Sequence, residues 1–174
     1  MTVTVTDFKG SLRIEPEFDH VIGMLDHKDK HSLSEPLSKV PNRSMFWFDD
    51  SINDGFGQCP PTEEDIASII KTIRDNGLDS PTKNVLIHCH AGIARSTAAA
   101  WCLCIMQGMS IKEAHDHIRK IRPQLWPNEL ILRHFDKLLG LNGELLDRDT
   151  RWKKHQIDND RLGISMFSGG LDID

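Results

Sequence analysis

The chain has 174 residues with an ordinary share of hydrophobic (39%) and charged (27%) side chains, which indicates one globular domain with its own core. Its formal net charge of -5 excludes the strong positive field of a protein that binds nucleic acid or anionic membranes, so we expect neither partner. Any site for an anion must therefore be local.

The cysteines and the apolar runs indicate a reducing compartment. The four cysteines lack the spacing of a disulfide framework, and two of them lie in an apolar stretch where buried free thiols are expected. The first ten residues lack the basic and apolar regions of a signal peptide. The longest apolar run, 98–106, is too short to cross a bilayer. We therefore expect a cytoplasmic protein with no membrane partner.

Taken in chain order, three short apolar runs predict buried strands at 18–25, 44–49 and 84–88. The polar segment 27–43 is predicted to be a long surface connection. The stretch 61–77 has the periodicity of a helix, so strands and helices alternate. This order predicts an α/β fold with a central, mostly parallel sheet flanked by helices.

The helix predicted at 61–77 carries clear signals at both ends. Thr62 and Asp65 have the spacing of a capping box, and Gly77 is a helix stop. Four isoleucines form one apolar face: Ile66, Ile69, Ile70 and Ile73. This face predicts that the helix packs on the sheet.

Two helices are predicted after the third strand. The residues from Arg95 to 106 are apolar on all sides, which predicts a central, buried helix. Ser110 and Glu113 have capping-box spacing and begin a second helix, which Pro123 ends.

A further helix is predicted at 128–140, with Asn128 as its cap and Gly140 as its stop. Beyond about residue 143 the pattern weakens. We expect a single domain at 1–143, followed by a C-terminal extension at 144–174 that consists of a short polar helix and a mobile tail.

The third strand runs into VLIHCHAGIARST, residues 85–97, where Cys89 lies between two histidines. Three interpretations compete: a metal site, a turn within the core, and a cradle for an anion. His88 and His90 alternate along an extended chain and face opposite ways, so both cannot readily bind one metal together with Cys89. The chain has neither a CxxC nor an HExxH pattern, and we expect no metal and no cofactor.

A strand-to-helix loop of this composition is suited to an anion. It aims backbone N–H groups and a helix N-terminus at one point. Gly92 permits a tight backbone path, and the planar guanidinium of Arg95 can bind two oxygens of a phosphate. The same positive potential favours the thiolate of Cys89, which would make it a nucleophile. A small core cysteine remains the alternative.

The segment HCHAGIARS fits the pattern His-Cys-x-x-Gly-x-x-Arg-Ser/Thr between a strand and a helix. Here the sequence resembles the cysteine-dependent protein tyrosine phosphatase superfamily, and it is most similar to the compact dual-specificity branch and its small bacterial relatives. The resemblance covers roughly residues 10–142 and includes KIRPQLWPN at 120–128, which is similar to the Arg-Pro and Pro-Asn stretch of the family.

The resemblance implies a role for each residue of the motif. Cys89 would attack phosphorus and form a phosphocysteine, Ser96 would hydrogen-bond the sulfur, and His88 would orient the loop from behind. The implied phosphate-binding residues are His90, Ala91, Gly92, Ile93, Ala94 and Arg95.

The family also uses an aspartic acid that protonates the leaving group, on the loop after the strand that precedes the long helix. In this chain that loop reads FDDSINDGFGQCPP and offers Asp49, Asp50 and Asp54. Asp50 lies two residues after Phe48, which matches the family's apolar–x–Asp placement, so it is the preferred candidate. Asp49 and Asp54 stay open as alternatives, because Asp54 before a glycine also suits a plain turn.

These expectations together predict a phosphomonoester hydrolase, in particular a protein tyrosine or dual-specificity phosphatase that acts on a phosphorylated protein or a small phosphomonoester. The cysteine loop has no lysine, and this favours a singly phosphorylated target. Two alternatives remain: a non-catalytic phosphate- or phosphoprotein-binding module of the same fold, and a rhodanese-like sulfurtransferase.

Overall fold

A computed structural model describes residues 2–14, 18–38 and 41–161 of the chain. Its centre is a sheet of four strands in the order β1-β4-β2-β3, and every neighbouring pair is parallel. The strands are β1 (Thr2–Thr6), β2 (His20–Leu25), β3 (Arg43–Trp47) and β4 (Asn84–His88). The predicted α/β class with a parallel sheet is confirmed, and the three predicted strands lie within two residues of their expected bounds.

Seven helices surround this sheet in the described part of the chain. They are α1 (Phe8–Ile14), α2 (Lys30–Ser38), α3 (Glu63–Asp75), α4 (Arg95–Met106), α5 (Ile111–Ile121), α6 (Glu129–Leu139) and α7 (Glu144–Arg161). Helix α4 packs against β1, β4 and β2, and also against α5 and α6. It is buried along nearly its whole length, as its uniformly apolar sequence predicts.

The capping signals are confirmed by side-chain geometry. Thr62 and Asp65 form both hydrogen bonds of the capping box at the start of α3, and Ser110 and Glu113 do the same for α5. The side chain of Asn128 accepts the N–H of Ile131 at the start of α6. Short polar motifs of this kind fix the helix ends locally, which is why the sequence located them well.

Strand β1 was not among the predicted elements. It alternates threonine and valine, and Val3 and Val5 are buried while the strand forms one edge of the sheet. A half-buried edge strand needs only every second residue to be apolar. The period-2 signal was therefore present, but it was too short and too polar to read as a core strand.

The prediction of a long surface connection at 27–43 was wrong. The segment contains a 3₁₀ turn, His27–Asp29, and helix α2, which packs against β3. Leu37 is the buried anchor of α2. Because few other residues of the helix are apolar, the sequence gives only a weak amphipathic signal.

Helix α7 is longer than the short polar helix expected in the extension. It has 18 residues, and Leu145 and Trp152 are buried in the main hydrophobic core. The helix continues to Arg161, so it reaches further into the extension than a short helix followed by a mobile tail, and 162–174 lie outside the described residues. The described part of the chain contains no helix both long and apolar enough to cross a membrane.

Candidate functional site

The carboxyl ends of the parallel strands bring the candidate residues to one edge of the sheet. Strand β4 ends at His88, Cys89 follows directly, and α4 begins at Arg95, so the intervening residues 90–94 form a tight loop. Strand β2 delivers Asp26 to the same edge, and β3 is followed there by the predicted acid loop. Residues from three strands therefore meet around the cysteine.

Arg122, the residue that ends α5, holds two carbonyl groups of the cysteine loop. Its Nε donates to the carbonyl of Gly92 at 2.8 Å, and its Nη2 donates to that of Ala91 at 2.7 Å. These bonds turn both carbonyl oxygens away from the centre of the loop. A loop that encloses an anion needs this orientation, since inward carbonyl dipoles would repel it.

The other three loop carbonyls are held from outside as well. The backbone N–H of Phe8 donates to the carbonyl of His90 at 3.2 Å, and the backbone N–H of Trp126 donates to the carbonyl of Ile93 at 3.0 Å. The N–H of Asn128 donates to the carbonyl of Ala94 at 3.2 Å. All five carbonyls of residues 90–94 thus have partners outside the loop, which leaves its N–H groups to face inward as a preformed anion cradle.

Gly92 is required by both its backbone conformation and its surroundings. Its φ is 70°, and a Cβ at this position would lie 2.6 Å from the backbone carbonyl of Thr6 at the end of β1. The glycine therefore lets the loop approach the edge strand. The same residue contacts the nucleophile, because its N–H donates to Cys89 Sγ at 3.2 Å.

Cys89 is buried, with 2% of its surface exposed, and its sulfur has two polar neighbours. Besides the N–H of Gly92, the hydroxyl of Ser96 lies 3.2 Å from Sγ. The contact with Ser96 that the family resemblance implies is thus present, while the contact with Gly92 was not predicted.

His88 lies behind the loop in a neutral form. Arg43 Nη1 donates to its Nε2 at 2.9 Å, and its Nδ1 lies 3.4 Å from the carbonyl of Cys89. Burial, together with the positive charge of Arg43, lowers the pKa of His88 to about 4. Gly23 makes room for the ring, since a Cβ there would lie 2.5 Å from His88 Nε2.

Arg95 is buried beneath the pocket with two partners for its guanidinium. Its Nη1 donates to the carbonyl of Phe48 at 2.7 Å, and its Nη2 lies 2.9 Å from Asp26 Oδ1. Its side chain is only 3% exposed, and among the described residues its Nε has no partner. An unpaired, buried guanidinium N–H indicates that the site has a further acceptor to receive, such as a phosphate oxygen.

The three candidate acids have different surroundings. Asp49 accepts hydrogen bonds from the backbone N–H groups of Cys59 at 2.8 Å and His27 at 3.0 Å. Partial burial opposes its ionisation, but these two bonds together with the positive charge of Arg95 outweigh it, and the pKa of Asp49 is lowered. Asp49 therefore acts as an ionised brace between two loops.

Asp50 is exposed, and its Oδ1 accepts a 2.9 Å hydrogen bond from the side-chain amide of Asn128. It lines two adjoining pockets, one of which also contains Arg95, while the other contains Trp126. Asp54 lies before a 3₁₀ turn, Gly55–Gly57, and lines neither of these pockets. Only Asp49 and Asp50 of the three thus face the pocket of Arg95.

The pocket above Arg95 has a volume of about 700 Å³ and a strongly acidic lining. Its lining residues are Asp26, Lys28, Asp29, Asp49, Asp50, Gln58, His90 and Arg95. Asp26, Asp29 and His90 also bring potential metal-ligand atoms within 4.8 Å of one another. However, Asp26 is paired with Arg95, and Asp29 is paired with His90 at 2.9 Å, so the structure offers no reason to assign a metal to them.

Sequence reasoning missed three residues of this site. Asp26 follows the apolar run of β2, so its placement at the shared edge could have been inferred from the parallel sheet. Arg122 and Asn128 lie within the segment 120–128 that resembled the family, but nothing in the local pattern indicated that their side chains would reach the cysteine loop and Asp50.

Several solved structures share this fold. The alignment with a structure described as Tk-PTP in the active form covers 78% of this chain and 88% of the Tk-PTP chain, with a TM-score of 0.55 and 21% sequence identity. The PTP-2 phosphatase of Cydia pomonella covers 79% and 85%, with a TM-score of 0.56 and 16% identity. The Yvh1 phosphatase domain from Chaetomium thermophilum covers 82% and 93%, with a TM-score of 0.53 and 21% identity.

At the level of sequence, a comparison with curated proteins finds no match. The family described as "dual specificity phosphatase, catalytic domain" matches residues 5–137, which is most of the chain and contains the whole cysteine loop. This match favours phosphatase over sulfurtransferase chemistry. The chain therefore belongs to the dual-specificity phosphatase family and is a cysteine-dependent phosphatase of the protein tyrosine phosphatase type.

Proposed function

We propose that the protein hydrolyses phosphomonoesters through a phosphocysteine on Cys89. The observation that carries this proposal is the loop whose carbonyl groups are all held outward around a buried cysteine. The thiolate attacks phosphorus, an S–P bond forms, and the bond to the ester oxygen breaks. Arg95 and the loop N–H groups of residues 90–94 stabilise the equatorial oxygens. Water then displaces the sulfur, to which the hydroxyl of Ser96 donates a hydrogen bond.

Asp50 supplies the proton that the leaving oxygen needs, and in the second step it accepts a proton from the attacking water. Four observations support this assignment over its alternatives. Asp50 faces the same pocket as Arg95, and its carboxylate is held by one neutral amide. The carboxylate of Asp49 is committed to two backbone N–H groups, and Asp54 lies away from the pocket.

The proposed substrate is a singly phosphorylated residue of a protein, in particular phosphotyrosine. The loop of residues 90–94 has no lysine to match additional phosphates. The proposed location is the cytoplasm, where a thiolate nucleophile stays reduced, and all four cysteines of the chain are free thiols.

Hydrolysis of para-nitrophenyl phosphate in the presence of a chelator tests the central proposal. We expect turnover without added metal, abolished turnover in Cys89→Ser, and severe impairment in Arg95→Lys, because lysine keeps the charge but loses the planar fork. Binding of inorganic phosphate without turnover by the wild type would instead identify a non-catalytic phosphate-binding module. Substantial hydrolysis by the serine variant would exclude Cys89 as the nucleophile.

The acid is identified by its dependence on the leaving group. We expect Asp50→Asn to lower kcat by about 10²-fold for a phenyl ester, as is typical for the loss of a general acid. The loss should shrink for an electron-poor phenol that leaves without a proton. Asp49→Asn and Asp54→Asn are the matched comparisons, and the assignment fails if either of them, rather than Asp50→Asn, shows this dependence.

A further inference from the structure

The pocket above Arg95 carries more negative than positive charge. Even with Asp50 protonated as the proposed acid, the carboxylates of Asp26, Asp29 and Asp49 outnumber the permanent cations of Lys28 and Arg95. A phosphate monoester brings nearly two further negative charges into this pocket. Among the described residues the buried Nε of Arg95 has no hydrogen-bond partner, which favours an anion there nevertheless. The lining and the expected ligand therefore have the same sign of charge.

The carboxylates of Asp26 and Asp29 pair with side chains of the pocket, Asp26 with Arg95 and Asp29 with His90, rather than with the backbone. Both follow β2 and are about one-quarter exposed, and they lie 3.6 and 2.9 Å from His90 Nε2 respectively. Asp49, in contrast, is engaged by two backbone N–H groups. Lys28 lies 3.6 Å from Asp26, but its side chain is 78% exposed, so solvent screens most of its charge.

We propose that Asp26 and Asp29 select phosphomonoesters that carry a positive group next to the phosphate, namely a phosphorylated residue flanked by lysine or arginine. This inference rests on the phosphatase function proposed above. A phosphate on Arg95 lies close to Asp26, since that carboxylate is only 2.9 Å from Arg95 Nη2. Without a positive group, the phosphate and the two carboxylates repel each other. An ammonium or guanidinium group between them attracts both the phosphate and the carboxylates. An acidic flank adds to the repulsion instead.

Three phosphotyrosine peptides of equal length test the charge preference, with lysine, glutamine or glutamate at both positions next to the phosphotyrosine. We expect kcat/KM to fall in the order lysine, glutamine, glutamate, by about tenfold across the series at low ionic strength. The spread should narrow at high salt, because exposed charges are screened. Equal kcat/KM for the three peptides, or a preference for glutamate, would overturn the inference.

Asp29→Asn tests the contribution of the Asp29 charge, because asparagine keeps an acceptor for His90 but removes the negative charge. The lysine-to-glutamate ratio of kcat/KM should fall by about threefold or more, and Asp29→Lys should invert it. Asp147→Asn on the exposed side of α7 makes the same charge change away from the pocket and should leave the ratio unchanged. An unchanged ratio in Asp29→Asn would refute the assignment, and the ratio is independent of general losses of activity.

Para-nitrophenyl phosphate separates this inference from the proposed function. If the wild type hydrolyses it while the peptides show no charge preference, the phosphatase function stands and the selectivity fails. If it is not hydrolysed, the proposed function fails first. All assays contain a chelator, and a preference for lysine that requires an added divalent cation would contradict the inference, since the metal would then carry the positive charge.

Discussion

The side-chain amide of Asn128 donates a 2.9 Å hydrogen bond to the carboxylate of Asp50, while the oxygen of the same amide caps α6. Asn128→Asp keeps an acceptor for the cap but loses the donor and places a second carboxylate beside Asp50. We expect a melting temperature close to that of the wild type and a kcat that falls for poor leaving groups but not for good ones. Equal losses for both kinds of leaving group would show that Asn128 does not act through Asp50.

Arg122 holds two carbonyls of the cysteine loop, so its loss should act on the nucleophile from a distance. We expect Arg122→Ala to lower kcat/KM by about tenfold or more, because two charged hydrogen bonds are lost, and Arg122→Lys to recover only part of it. Iodoacetate should also alkylate Cys89 more slowly at pH 6.5 in Arg122→Ala. Lys120→Ala, at an exposed neighbouring position, is the control. An unchanged alkylation rate in Arg122→Ala would show that Arg122 does not act on Cys89 through the loop carbonyls.

Two buried histidines predict a loss of stability in weak acid. Burial lowers the pKa of His88 to about 4 and that of His115 to about 3, with nearby arginines adding to both shifts. The unfolded chain takes up protons on these residues below the ordinary histidine pKa of 6.5, whereas the folded chain does so only near pH 4 at His88 and near pH 3 at His115. Stability should therefore be constant above pH 6.5 and fall below it by up to about 1.4 kcal/mol per pH unit per histidine.

His115→Phe tests the contribution of one of these histidines. The ring lies between Trp101 and Trp152, at centroid distances of 4.6 and 5.3 Å, and neither ring nitrogen has a hydrogen-bond partner within the described residues. Phenylalanine keeps the aromatic packing but cannot be protonated. Denaturant unfolding at pH 7, 6 and 5 should show a shallower decline than the wild type, while the exposed His31→Gln should not change the slope. An unchanged slope in His115→Phe would exclude this histidine as a source of the decline.

Helix α7 should contribute to the stability of the domain although it lies beyond the family match. Trp152 is buried and contacts Trp126 at a centroid distance of 5.8 Å, and Lys153 donates to the carbonyl of Pro127 at 2.6 Å. We expect Trp152→Ala to lower the free energy of unfolding by about 3–5 kcal/mol. The exposed Arg151→Ala should cost little, and urea unfolding followed by fluorescence measures both. A small loss in Trp152→Ala would support the predicted domain boundary at residue 143, because α7 would then be dispensable.

The parts of the fold that could be predicted are those encoded locally. The capping boxes at Thr62 and Ser110, and the apolar run of β4, each specify their element within a few residues. Strand β1 and helix α2 escaped prediction because each buries only one side, so their apolar content is low. Their stability comes from neighbours in the sheet rather than from their own sequence.

The candidate site likewise contains contacts within one short segment, which could be predicted, and contacts between distant segments, which could not. The contact of Cys89 with Ser96 was implied by the family resemblance of one short motif. The pairing of Asp26 with Arg95 joins residues 69 positions apart in the numbering and depends on the strand order of the sheet. Such contacts follow from topology, which local patterns do not determine.

The hydrogen bonds that keep the five carbonyls of residues 90–94 pointing outward affect the kinetics of ligand binding. The loop is pre-organised, since its shape is set by Phe8, Arg122, Trp126 and Asn128 from three other parts of the chain. The conformational entropy of the loop is therefore lost during folding and not each time a ligand binds. An oxyanion such as vanadate should associate in a single fast phase, and slower steps of turnover should arise in the loop that carries Asp50.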